Sequence, residues 1–80
     1  MEWHTCEVLK AGPAEDSTVY IHLRDLSGGF NHWFKAADSV KNEMLSVALV
    51  AISTGYKVEA AVDSQQEYSC VLRLYVNMLA

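Results

Sequence analysis

The sequence predicts an α+β, mainly β fold: an OB-like five-stranded barrel with element order β-β-β-α-β-β and one helix at about residues 39 to 53. Three observations predict it. Apolar and polar residues alternate in several separate runs, the spacing of half-buried strands. One stretch alone is apolar at helical spacing, and it falls after the third run. The chain has 80 residues, a length that buries only about 60% of the surface an unfolded chain exposes. So short a chain cannot cover the edges of an open sheet, and closure removes them. Three strands, a helix and two strands is the OB order. The competing arrangement is an open five-stranded sheet with the helix on one face. No internal repeat divides the chain, so residues 1–80 form one domain.

The first run, "WHTCEVLKA", sets Cys6 and Val8 on one side and Thr5, Glu7 and Leu9 on the other. "GPAEDS" follows with the only proline and two acids, and reads as a turn. "TVYIHLRDL" is the cleanest strand: Val19, Ile21 and Leu23 point one way, and Tyr20, His22 and Arg24 the other. "SGG" breaks the chain, and the aromatic run "FNHWFKA" resumes it as a third strand. Asp38 or Ser39 is expected to cap the helix, and Gly55 to end it in the left-handed conformation. "YKVEAAV" directs Val58, Ala60 and Val62 inward. After the polar turn "DSQQE", the run "YSCVLRLYVNM" is the fifth strand. There Cys70, Leu72, Leu74 and Val76 share one face, and Val71, Arg73 and Tyr75 the other.

The helix is more apolar than one small core requires. At about 100° per residue, Val40, Met44, Val47, Ala48 and Ala51 gather on one arc and can seal the barrel. Leu45, Leu49 and Ile52 form a second stripe roughly 120° away. Either that stripe packs under the chain's own loops or it is a homo-oligomer interface, and the second reading is preferred. A membrane role is not expected, because no run reaches the roughly 18 apolar residues of a span and the polar face of the helix lacks Lys and Arg.

Composition narrows the function classes. With 51% hydrophobic and 20% charged residues the chain is far from the disordered regime. A formal net charge of −4, with six basic residues scattered singly, makes nucleic acid an unlikely partner. The start "MEWHTCEVLK" does not read as a signal peptide, so a cytoplasmic location is expected. Cys6 and Cys70 read as buried thiols on inner faces, with a disulfide between the first and last strands as the alternative. His4, His22 and His32 match no metal template with Cys6 or Asp25, so neither metal nor cofactor is expected. The acids, Asp25 among them, read as solvated charge.

The best candidate site is the outward set on the second and third strands: Tyr20, His22, Arg24, Asn31 and Trp33. It mixes stacking surfaces with hydrogen-bonding groups, which suits a sugar or an exposed base. The competing reading has Trp33 packing on a neighbouring subunit or closing the hairpin. His32, on the same side as Phe30 and Phe34, reads as a core or rim histidine.

The arrangement "MLSVALVAISTGYKVEAAV…YSCVLRLYV" resembles a group of small bacterial proteins with an OB-fold barrel like that of AB5 toxin B subunits, the pertussis-like ones included. In that group an aromatic strand with a Trp-Phe pair, here "FNHWFKA", precedes a helix rich in Met, Leu and Ala. The helix ends at a Gly followed by a basic residue and a Val-containing strand, here Gly55, Lys57 and Val58. The last strand opens on Tyr68 and Ser69 and carries Tyr75 near its end. The resemblance spans roughly residues 17 to 77. It implies dimers or rings built on the barrel and its helix, glycan binding in some relatives, and carriage of others on mobile elements such as integron cassettes. The toxins are secreted with a catalytic partner, which this sequence does not suggest, and none of their glycan-binding residues maps onto a motif here. The expected function is thus a non-enzymatic, self-associating binding module. Glycan or small-ligand recognition on the Tyr20, His22, Trp33 face is the first specific reading, and a single-stranded nucleic-acid-binding OB-fold the second.

Overall fold

In the computed structural model, which describes residues 1–77, five strands close into a barrel ordered β1-β2-β3-β5-β4. They are β1 (Glu2–Pro13), β2 (Val19–Asp25), β3 (Asn31–Ala36), β4 (Lys57–Val62) and β5 (Cys70–Asn77). The helix α1 (Lys41–Thr54) lies between β3 and β4 in sequence, after a 3-10 turn at Asp38–Val40. All strand pairs are antiparallel except β3 with β5, which is parallel and joins only Lys35 to Cys70 and Ala36 to Val71. This is the OB-like α+β arrangement that the order of the runs predicts.

β1 is longer than its alternation suggests. Gly12 and Pro13 stay in the strand, opposite Tyr20 and Val19, instead of turning. Its first half pairs with β4, from Glu2 against Val62 to Cys6 against Val58, and its second half pairs with β2. A register shift between Val8 and Lys10 leaves Leu9 as an extra, exposed residue. Such a bulge increases local twist, which lets one strand serve two partners around a tight barrel.

The core follows the inward faces. Val19, Ile21 and Leu23 are at most 2% exposed, and Phe34, Val58, Ala60, Val62 and Cys6 are fully buried. Full burial of a side chain such as Phe34 or Ile21 contributes about 1.5–3 kcal/mol. Met44, Ala48 and Ala51 of α1 seal this core, with Val40 and Val47 partly buried against it.

Three expectations are corrected. The helix starts at Lys41, and its N-cap residue is Val40, without a side-chain cap from Asp38 or Ser39. The 3-10 turn takes up residues 38 to 40, with the Val40 N–H donating to the Ala37 carbonyl, and Asp38 pairs instead with Lys41 Nζ at 3.3 Å. Gly55 does end the helix in the left-handed region, at φ 76°, its N–H donating to the Ala51 carbonyl. In β5, Val71 and Leu74 are buried while Leu72 and Val76 are each 39% exposed. Ala61 opposes Arg73 but Val62 opposes Val71, so Leu72 is a bulge residue and the inward phase changes there. Cys70 is consequently only half-buried, and both cysteines are free thiols.

Candidate functional site

The antiparallel pairing of β2 with β3 sets Tyr20 opposite Lys35, His22 opposite Trp33, and Arg24 opposite Asn31. Alternation turns these side chains away from the core that holds Ile21, Leu23 and Phe34. Tyr20, Trp33 and Tyr68 line an open pocket of about 290 Å³ on that face. The Tyr20 and Tyr68 rings meet edge to face, with centroids 5.9 Å apart.

Tyr68 completes the pocket from the loop between β4 and β5. Its φ of 66° lies in the left-handed region, which a bulky residue rarely adopts. Such a conformation persists where the surroundings dictate it. Here the Tyr68 N–H donates to the Trp33 carbonyl at 2.7 Å, and the Lys35 N–H donates to the Ser69 carbonyl at 2.9 Å. The loop is thereby laid across the end of β3, with the Tyr68 ring half exposed beside Tyr20. From the sequence alone, Tyr68 reads only as the start of the last strand. Its one usable signal was position, since the loop between strands four and five borders the binding face of OB barrels.

Of the five residues expected here, the structure brings four together. Tyr20 and Trp33 line the pocket. The His22 ring packs against Trp33, with centroids 5.2 Å apart. His22 Nε2 and Asn31 Oδ1 form a 2.7 Å hydrogen bond, while His22 Nδ1 is buried with no hydrogen-bond partner among the described residues. Arg24 is drawn away from the pocket into an ion pair with Glu7 on β1, and Lys57 Nζ lies 3.5 Å from the other Glu7 oxygen. Its guanidinium is committed to Glu7.

A second polar chain runs beside this face. Asp25, expected in solvent, is 3% exposed. Its Oδ1 accepts from the Ser27 N–H at 3.0 Å and its Oδ2 from the Gly29 N–H at 3.1 Å, with His4 Nδ1 3.3 Å from Oδ2. His4 Nε2 faces Glu2 Oε1 at 3.3 Å, and Gln65 Nε2–H donates to the same oxygen at 2.8 Å. The Gln65 hydrogen bond, then that of His4, holds the Glu2 carboxyl below its ordinary range. His32 Nε2 and the Gln65 carbonyl are 2.8 Å apart, and the His32 ring packs on Phe30 and Phe34, the rim placement its parity predicts. These contacts tie the loop carrying Tyr68 to both β1 and β3. No three His, Cys, Asp or Glu side chains among the described residues are grouped to hold a metal ion. Burial pushes the Cys6 thiol up to about 12, with the charges of Asp25 and Glu59 adding to it.

On α1 the second apolar stripe is split. Leu45 is partly buried against the core, whereas Leu49 and Ile52 are 50% and 41% exposed. No helix among the described residues is long and apolar enough to cross a membrane. No family model matches the chain, and neither a curated protein nor a solved structure matches it.

Proposed function

We propose that the chain is a non-enzymatic, self-associating binding module that seats a sugar or similar small ring compound on the Tyr20, Trp33, Tyr68 pocket. The observation that carries this reading is the convergence of three aromatic side chains from two strands and a loop on one open pocket. Aromatic faces offer a large contact area with polar tips at little conformational cost. Polar partners stand close by: Asn31 and His22 border Trp33, and Lys35 lies opposite Tyr20 in the ladder. OB barrels take oligosaccharides and oligonucleotides on this strand face and its flanking loops. The resemblance of the sequence to toxin B-subunit barrels, some of whose relatives bind glycans, is the ground for putting glycans first among these ligands. Single-stranded nucleic acid is the weaker reading, because the net charge is −4 and Arg24 is engaged by Glu7. Exposed apolar side chains, Leu72 and Tyr75 on β5 as well as Leu49 and Ile52 on α1, support self-association.

The test uses tryptophan fluorescence. The chain has two tryptophans, Trp3 and Trp33, so a Trp3→Phe background isolates the site. A panel of mono- and oligosaccharides is expected to shift or quench Trp33 emission for at least one sugar, and Tyr68→Ala is expected to abolish the response without unfolding the barrel. Silence across the panel, with salt-dependent binding of a fluorescent oligothymidylate, would replace the sugar reading with the nucleic-acid one.

A further inference from the structure

The flank of the barrel where α1 meets β5 carries a groove of about 230 Å³. Glu43, Met44 and Val47 line it from the helix, and Leu72, Arg73 and Tyr75 from the strand. Three features coincide there. β5 pairs with β3 only at Cys70 and Val71, and among the described residues it pairs beyond that point with β4 alone, while α1 packs against it. The bulge turns Leu72 outward, and Tyr75 is 54% exposed with its ring stacked on the exposed Trp3 at 5.8 Å. The walls hold one acid and one base, Glu43 and Arg73, both exposed, and neither is in an ion pair among the described residues.

We infer that two copies of the chain pair through this α1–β5 groove about a two-fold axis. A two-fold interface uses the same patch on both subunits, so the patch must complement itself. One unpaired acid and one unpaired base on opposite walls meet that condition, because the rotation sets Glu43 of each copy against Arg73 of the other. A small molecule fits less well, because the exposed charges on the groove walls have both signs. The inference rests on the self-association reading and locates the contact. Leu49 and Ile52 lie roughly 120–180° around the helix from Glu43, so they belong to a different surface.

The test is native mass spectrometry and light scattering over a concentration series, with circular dichroism to confirm folding. The wild-type chain is expected to dimerise. Arg73→Glu and Glu43→Arg each set like charges across the axis, and each is expected to weaken the dimer by about tenfold or more. The double swap, Glu43→Arg with Arg73→Glu, is expected to restore it, and Leu49→Glu to leave it intact. A dimer indifferent to the single swaps, or one lost in Leu49→Glu alone, would overturn the groove while leaving self-association standing. A wild-type chain that stays monomeric at every concentration would overturn self-association itself.

Discussion

Asp25 shows how one residue can be placed by its sequence and misjudged by its chemistry. Its parity in β2 matches Val19, Ile21 and Leu23, so the inward position was legible. Its charge argued for solvent, and charge was the wrong guide. The carboxylate is held by the Ser27 and Gly29 amides of the turn it begins and by His4 from another strand. The last of these is a long-range contact that no local pattern announces. Replacing Asp25 with Ala leaves two turn amides without their acceptor. The expected loss is about 2–4 kcal/mol, since a hydrogen bond to a charged group contributes roughly 1.5–3 kcal/mol and an unmet buried donor costs further. Urea denaturation measures it, and a change below about 0.5 kcal/mol would mean that the turn is held by other contacts. Gly29→Ala probes the same contact from the other side, because an added Cβ would stand 2.5 Å from Asp25 Oδ2. The two thiols separate on the same principle of burial. Cys6 is fully buried with its thiol pushed up to about 12, whereas Cys70 is partly open. Iodoacetamide on the native protein at mildly alkaline pH is therefore expected to label Cys70 first. Peptide mapping that found Cys6 modified ahead of Cys70 would contradict this placement.

At the scale of elements, alternation was reliable until a bulge intervened. β2 keeps strict period 2, and its inward residues are those the pattern names; in β4 Val58, Ala60 and Val62 are buried as the pattern names, but Ala61 between them is buried as well. β1 and β5 each contain one extra residue, Leu9 and Leu72. A leucine at a bulge looks the same in sequence as a leucine in the core, so the run "CVLRLYV" read as though Leu72 and Leu74 were equivalent. They are not: Leu74 is 5% exposed and Leu72 is 39% exposed. Leu74→Ala is expected to cost about 2–5 kcal/mol, the range for a buried leucine, and Leu72→Ala under about 1 kcal/mol, a surface-like value. Equal losses in thermal unfolding at low protein concentration would restore the unbroken strand. The helix start was lost for a related reason, because the 3-10 turn displaces the capping position onto Val40, a residue with no capping group.

The whole molecule couples its weakest seam to its candidate site. Order and closure were legible because one helical run among the strand runs admits few arrangements in so short a chain. The pocket was half legible: alternation exposed Tyr20 and Trp33, but Tyr68 reaches them only through closure of the barrel. That closure is unequal. β3 and β5 share two paired positions, against seven between β1 and β2 and six between β4 and β5. The seam is supplemented by the Lys35, Ala37 and Tyr68 amides, which donate to Ser69, Val71 and Trp33 carbonyls. Local opening begins where cooperative contacts are fewest, so these three amides are expected to exchange with deuterium before those of the β1–β2 ladder around Ile21 and Leu23. Tyr68 stands on that seam and also walls the pocket, so a ring ligand held between Tyr68 and Trp33 bridges the two sides. A saturating sugar ligand is expected to slow exchange at Lys35 and Tyr68 more than at Leu23. By linkage, a ligand at 100 times its Kd stabilises the bound form by about 2.7 kcal/mol, which slows seam exchange by roughly 100-fold if opening releases the ligand. Exchange at the seam that is unchanged while Trp33 emission responds would place the ligand on β3 alone, away from Tyr68.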